Sequence, residues 1–270
     1  MSRLWLPRRR HLAEGLGLDR RAFLAASLRA GGGAAAALAL AGCDWKGPRA
    51  AQSLLRSDWK GPRAAQSLLR SAERWNERVE RKLFRPGARN VPSARAVAAG
   101  AKFPSYFIAD ELPKWDEATR GVWRLEVSGL VGRPQRLTLD DLKLLPRTEA
   151  RLEHFCVEGW SAVAVRTGVR LSDLARHVGL SPDARYVDFQ SFDDGYHESW
   201  DIESAMHAQT LIVYGQDGEL LSPEYGAPAR VYAPVKLGYK CTKYLTRIVF
   251  LAERNGGYWS DQGYEWYGGV

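Results

Sequence analysis

From Val122 onwards no segment that reads as regular structure is longer than eight residues, and this brevity restricts the fold more than any other feature of the chain. Apolar runs bounded by turn residues predict strands at Val122–Val127, Tyr186–Ser191, Leu211–Tyr214, Ala229–Tyr232 and Tyr244–Leu251. Helical signals are few. They cover Leu139–Leu145, opened by Asp140 and Asp141 and stopped by Pro146, then Leu171–Val178 and Ile202–Met206. Short helices scattered among many strands imply an α+β domain, mostly β with short helices. No GxGxxG follows a strand, which disfavours a Rossmann unit.

The N-terminal part has a different character. Residues Asp19 to Cys43 place Arg20 and Arg21 before Phe23 and Leu24, then a small-residue apolar run that closes on Leu40, Ala41, Gly42 and Cys43. A positive start, a weakly apolar middle and a small-residue end form a processed export signal, expected over residues 1–43. The paired arginines resemble the twin-arginine signal, and Leu-Ala-Gly-Cys resembles a lipobox, so Cys43 is a candidate lipid anchor to the membrane. Arg29 and Gly31 to Gly33 weaken the run as a permanent span. Seven arginines against Glu14 and Asp19 put +5 of the chain's +8 in these 43 residues and leave +3 for the rest, so nucleic-acid binding is not expected. Asp44–Ser57 is repeated without change as Asp58–Ser71, which is too short for a solenoid and reads as a spacer. Trp75, Val79 and Leu83 then mark an amphipathic helix ended by Pro86 and Gly87, and residues 44–102 form the linker before a folded domain at 103–270.

Three cysteines, Cys43, Cys156 and Cys241, are too few and too far apart for a disulfide framework, a zinc ribbon or covalent haem. Cys156 lies in HFCVEGWSA, where a lone cysteine is ordinarily a packed, inert residue. The stretch Gly226–Phe250 carries Arg230, Lys236, Lys240, Lys243 and Arg247 with no carboxylate, and Gly226, Pro228, Pro234 and Gly238 punctuate it. Loop cations with free backbone amides suit a phosphate, although a solvated basic sheet edge has the same composition.

CVEGWSA, then Ser191, MHAQTL and GAPARVYAPVKLGYKCTK, closely resemble the molybdopterin-binding core of the sulfite oxidase family over roughly Phe103 to Val270. The bacterial branch, which includes periplasmic methionine-sulfoxide reductase catalytic subunits, is the most similar. The resemblance implies a sulfite-oxidase-type molybdopterin-binding fold and makes Cys156 the molybdenum ligand, a soft thiolate for a soft-donor centre. It also implies cofactor contacts from Ser191, Tyr225, Arg230, Lys240, Cys241, Thr242 and Lys243, with Arg230 on the pterin phosphate and the sulfur of Cys241 incidental. Tyr225 departs from the His or Asn of relatives. Tyr264 takes the place of an active-site tyrosine, so Cys156 and Tyr264 are the catalytic candidates. Where sulfite oxidases carry a substrate-facing arginine, this chain has Ala109 followed by Asp110 and Glu111, which disfavours sulfite and favours a neutral S-oxide or N-oxide, small or protein-bound.

These readings together imply a molybdenum-pterin-dependent oxidoreductase of the bacterial cell envelope, on the periplasmic side of the cytoplasmic membrane. A single molybdenum-molybdopterin is its cofactor, with no haem in this chain. Without haem or flavin motifs, electrons would pass through a membrane haem protein or a small cytochrome. A monomer is expected, since the added dimerisation domain of animal sulfite oxidases is not seen after Tyr264. Two rival readings remain at this point. One is a cysteine-nucleophile acyl transferase or peptidase using Cys156 with His154, His177, His197 or His207 as base, and the other is a non-catalytic pterin-binding lipoprotein.

Overall fold

The structure is a computed structural model, and it describes residues 63–84, 103–106, 109–193 and 195–270. The expected export segment with Cys43, and the first copy of the repeat, lie outside the described residues. The first described element is helix α1 (Arg63–Leu83), rich in the good helix formers Ala, Leu, Glu and Arg. It starts inside the second copy of the repeat, so from Arg63 the expected spacer is helix.

The helix docks by charge, and the expected stripe is not its packing face. Trp75 is 63% exposed and Leu83 69%, whereas Glu77 is buried. Arg81 holds Glu77 at 2.7 Å and also pairs with Glu203, and Arg254 reaches Glu73 at 3.0 Å. Phe84 stacks on Tyr267 with ring centroids 6.0 Å apart. Packed structure therefore extends back beyond Phe103.

The remaining elements in chain order are α2 (Glu117–Arg120), β1 (Leu125–Gly129), β2 (Gln135–Leu137), α3 (Leu139–Leu144), β3 (Arg147–Phe155), β4 (Ser161–Arg170), α4 (Leu171–Val178), β5 (Tyr186–Ser191), β6 (His197–Asp201), α5 (Ile202–Ala205), β7 (Leu211–Gln216), β8 (Glu219–Leu220), β9 (Arg230–Tyr232) and β10 (Leu245–Leu251). One five-stranded sheet runs β2-β1-β10-β5-β6, and a second runs β3-β4-β7-β8 with β9 also paired to β7. Among the described residues only β1 and β10 pair in parallel. The domain is α+β, mostly β with short helices.

Leu125, Val127, Phe189 and Phe250 of the first sheet share one buried cluster with Leu152, Leu211 and Val213 of the second. Each side chain so enclosed contributes about 1.5–3 kcal/mol. Sequence reading missed β3 and β4, the longest pair. Strand β3 is RTEARLEHF, polar and half exposed, and β4 interrupts its apolar run with Arg166 and Gly168. Gly168 is required by close backbone approach, because a Cβ there would lie 2.1 Å from the Ile212 carbonyl oxygen.

Candidate functional site

A cavity of about 240 Å³ is lined from both sheets. The turn between β3 and β4 supplies Cys156, and its geometry is set by the Cys156 amide donating to the Trp160 carbonyl at 2.9 Å and the Gly159 amide to the Cys156 carbonyl at 3.0 Å. Gly159 takes φ 89°, which a side chain would resist. Ser191 closes β5, Arg230 opens β9, and Lys243 with Tyr244 immediately precedes β10. The cavity thus brings together Cys156, Ser191, Tyr225, Arg230, Cys241, Lys243 and Tyr264 of the expected site.

Lys240 and Thr242 are not in the lining. The Lys240 ammonium is fully buried against Glu198 at 2.5 Å, so its charge is committed to that ion pair and is not turned to the cavity. Lys236 is likewise fully buried on Asp201 at 2.9 Å. Burial acts against the Asp201 carboxylate, yet Lys236 and a hydrogen bond from Ser204 hold it below the usual range. Arg247 pairs with Glu126 at 3.3 Å. Of the five cations read from Gly226–Phe250, only Arg230 and Lys243 face the cavity.

Neither of these two forms an ion pair among the described residues. Arg230 donates to the Tyr225 carbonyl at 3.2 Å and the Cys241 carbonyl at 3.0 Å. Lys243 donates to the Tyr106 and Glu224 carbonyls at 2.5 and 2.8 Å. Behind them lies Arg166, which sequence reading missed; it is fully buried, donates to Gln216 and stacks over the Phe103 and Tyr232 rings at 4.6 and 4.8 Å. An arginine in the apolar run AVAVRTGVR was the signal that could have found it.

Burial, with Arg230 adding repulsion, pushes the Arg166 guanidinium down to about 10. Burial followed by Arg230 and Arg166 pushes the Lys243 amine down to about 7. His154 is driven well below its ordinary value by burial and by the same three cations, so it stays neutral. Positive charge is concentrated here, and none of the three cations Arg166, Arg230 and Lys243 forms an ion pair among the described residues.

Buried donors without acceptors mark the same region: Arg230 Nε, Arg166 Nε and Nη2, Thr242 Oγ1 and the Tyr244 hydroxyl. Each such group left unmatched costs about 1–3 kcal/mol, so the cluster fits a polyoxygenated anion. Tyr244 also holds φ 55°, a strained value for a residue with a side chain, and sequence reading had it only as a strand start. Gly226 permits the close approach of Lys243, whose Cβ would lie 2.8 Å from a Cβ added there.

The Cys156 sulfur contacts Glu158 Oε2 at 3.9 Å and has no imidazole partner among the described residues. Burial, aided by Glu158, pushes its thiol up, opposite to what a free nucleophile needs. His154 packs among Phe103, Trp160 and Tyr232, His197 is held by Asp188, and neither His177 nor His207 lines the cavity. The cysteine-nucleophile reading therefore lacks its base. Among the described residues no three His, Cys, Asp or Glu side chains converge on a metal position, so a metal at Cys156 must bring most of its donors with it. Asp110 and Glu111 are exposed and outside the lining; Glu158 and Asp193 are its acids, so the expected placement of acidity is corrected. Tyr264 is 41% exposed and packs on Trp259 and Tyr239 at 4.8 and 5.4 Å.

A family described as "Oxidoreductase molybdopterin binding domain" matches residues 111–259. The chain is 43% identical over 167 residues to "Putative protein-methionine-sulfoxide reductase subunit YedZ1" of Azospira oryzae, covering 62% of this chain and 62% of that protein. It is 34% identical to "Uncharacterized oxidoreductase YuiH" of Bacillus subtilis, over 62% of this chain and 82% of that one. The methionine-sulfoxide reductase catalytic subunit MsrP of Ralstonia nicotianae is 35% identical, over 54% of this chain and 49% of the relative. Among solved structures, the sulfane dehydrogenase SoxCD of Paracoccus pantotrophus aligns with TM-score 0.46 and 25% identity, over 48% of this chain and 38% of that one. The chain thus spans about three fifths of the first of these relatives and half of the third.

Proposed function

Because this chain belongs to the sulfite oxidase family of molybdopterin-binding oxidoreductases, we propose that it reduces an S-oxide or N-oxide, small or protein-borne, at a single molybdenum-pterin held in the cavity between its sheets. The observation that carries the reading is that Cys156 and the cations Arg230 and Lys243, neither of them in an ion pair among the described residues, line one cavity. When bound, the cofactor supplies two-electron oxygen-atom chemistry at molybdenum. Cys156 offers the thiolate ligand, and its rigid turn fixes where that sulfur stands. Arg230 would grip the phosphate with a guanidinium already oriented by two carbonyls, Lys243 would add its ammonium, and Tyr244 a hydroxyl that now lacks an acceptor.

Substrate is selected by what surrounds the sulfur. Val157, Trp160, Trp259 and Tyr264 make much of the wall apolar, while Glu158 and Asp193 repel a dianion, so a neutral oxide is favoured over sulfite. Tyr264 donates a hydrogen bond to the substrate oxygen from its phenol, and the neighbouring rings exclude water. Export on a twin-arginine-type signal to the periplasmic side, with tethering through Cys43, follows from residues 1–43. Electrons enter from a membrane haem protein or small cytochrome.

The test is purification from a host that synthesises molybdopterin, followed by metal analysis and pterin fluorescence. About one molybdenum per chain and reductant-dependent sulfoxide reduction are expected. A folded preparation with neither metal nor pterin sinks the proposal.

A further inference from the structure

Helix α1 sorts its charges by face. Its three carboxylates turn toward the domain: Glu73 meets Arg254, Glu77 lies buried under Arg81 and Arg254, and Glu80 has a buried oxygen beside Glu265. Arg81 is drawn inward as well, onto Glu77 and Glu203. What remains outside is basic and apolar. Arg74, Arg78 and Lys82 are exposed and form no ion pair among the described residues; Arg74 and Arg78 bond only within the helix. Between them stand Trp75, 63% exposed, and Leu83, 69% exposed.

Water alone gives no reason for this arrangement. A solvated helix gains from mixing acids and bases at i, i+4 on its outer face, and an exposed tryptophan between unpaired cations is the pattern of a helix lying in a bilayer interface, with rings at headgroup depth and cations on lipid phosphates. No helix among the described residues is long and apolar enough to cross a membrane, so contact would be with the surface. The sequence agrees: α1 is the first described element after the apolar run that ends at Cys43.

We propose that the outward face of α1, through Trp75, Leu83, Arg74, Arg78 and Lys82, lies on the surface of an anionic lipid bilayer and sets the orientation of the domain on it. The proposal rests on the envelope placement given above but not on molybdenum, so its test is independent of cofactor loading.

The full chain is mixed with vesicles of phosphatidylcholine with or without phosphatidylglycerol, and binding is compared with that of the triple variant Arg74→Gln, Arg78→Gln, Lys82→Gln and of Trp75→Ala. The N-terminal segment, with its own arginines, contributes alike in every protein and cancels when each variant's anionic preference is divided by that of the wild type. At about fivefold per cation, the wild type's preference for anionic vesicles should exceed that of the triple variant by roughly a hundredfold. Trp75→Ala should weaken binding to both mixtures. Thermal midpoint and pterin content serve as folding controls and should not move. Equal preference in wild type and triple variant overturns the proposal. So does Trp75→benzoylphenylalanine, irradiated in bacterial membranes, if it forms adducts with another protein or a second copy of this chain instead of lipid.

Discussion

Replacing Lys243 by methionine in the cofactor-free protein removes a cation whose partners are two backbone carbonyls and whose neighbours are two arginines. Burial and that repulsion lower its amine from 10.5 to about 7. Between those values the unfolded chain holds the proton and the folded chain releases it. Stability of the wild type must therefore rise with pH from about 7 to about 10.5, and below 7 the penalty for folding around the charge is present in full. The whole gap corresponds to about 5 kcal/mol, and solvent reaching the partly buried amine reduces it to roughly 2–3 kcal/mol. Methionine removes this slope, and it also leaves the Tyr106 and Glu224 carbonyls without their donor, at about 1 kcal/mol each. The variant should thus match or exceed the wild type in urea unfolding at pH 6 and fall below it at pH 10. Inorganic phosphate should stabilise the wild type more than the variant at pH 6, with the difference fading as pH rises past 7. A stability difference constant across this range would refute the claim that burial and the two neighbouring arginines disfavour the charged form of Lys243.

Three further outcomes follow from the same geometry. Cys156→Ser should keep the pterin, whose phosphate grip is untouched, while turnover falls by about a thousandfold or more; wild-type turnover would remove Cys156 from the chemistry. Arg230→Ala should lose most of the bound pterin on gel filtration, since a bidentate charged contact is worth about 1.5–3 kcal/mol per bond; full retention would place the phosphate elsewhere. Asp201→Asn leaves the Lys236 ammonium buried without its counter-ion and should cost about 3–5 kcal/mol, a fall in Tm of roughly 10 °C; a fall of a degree or two would show the pair to be dispensable.

The sequence revealed those parts of the fold whose signal is local. Strands Tyr186–Ser191 and Leu245–Leu251 and helix Leu171–Val178 have apolar periods and turn residues of their own, and they lie where the pattern places them. Strand β6 has the opposite character. HESWD reads as a polar loop, yet Glu198 and Asp201 are buried because Lys240 and Lys236 come to meet them from a distant stretch of chain. That missed strand is also why the basic run Gly226–Phe250 was legible only in outline. Counting charges along one segment gives five candidates for an anion; the fold neutralises two of them with acids from β6 and one with Glu126 on β1. Arg230 and Lys243 remain, and β4 adds Arg166. A site for an anion is therefore defined here less by where cations occur than by where the fold withholds their counter-ions, and this pairing is a property of two sheets brought together that no single stretch of sequence contains.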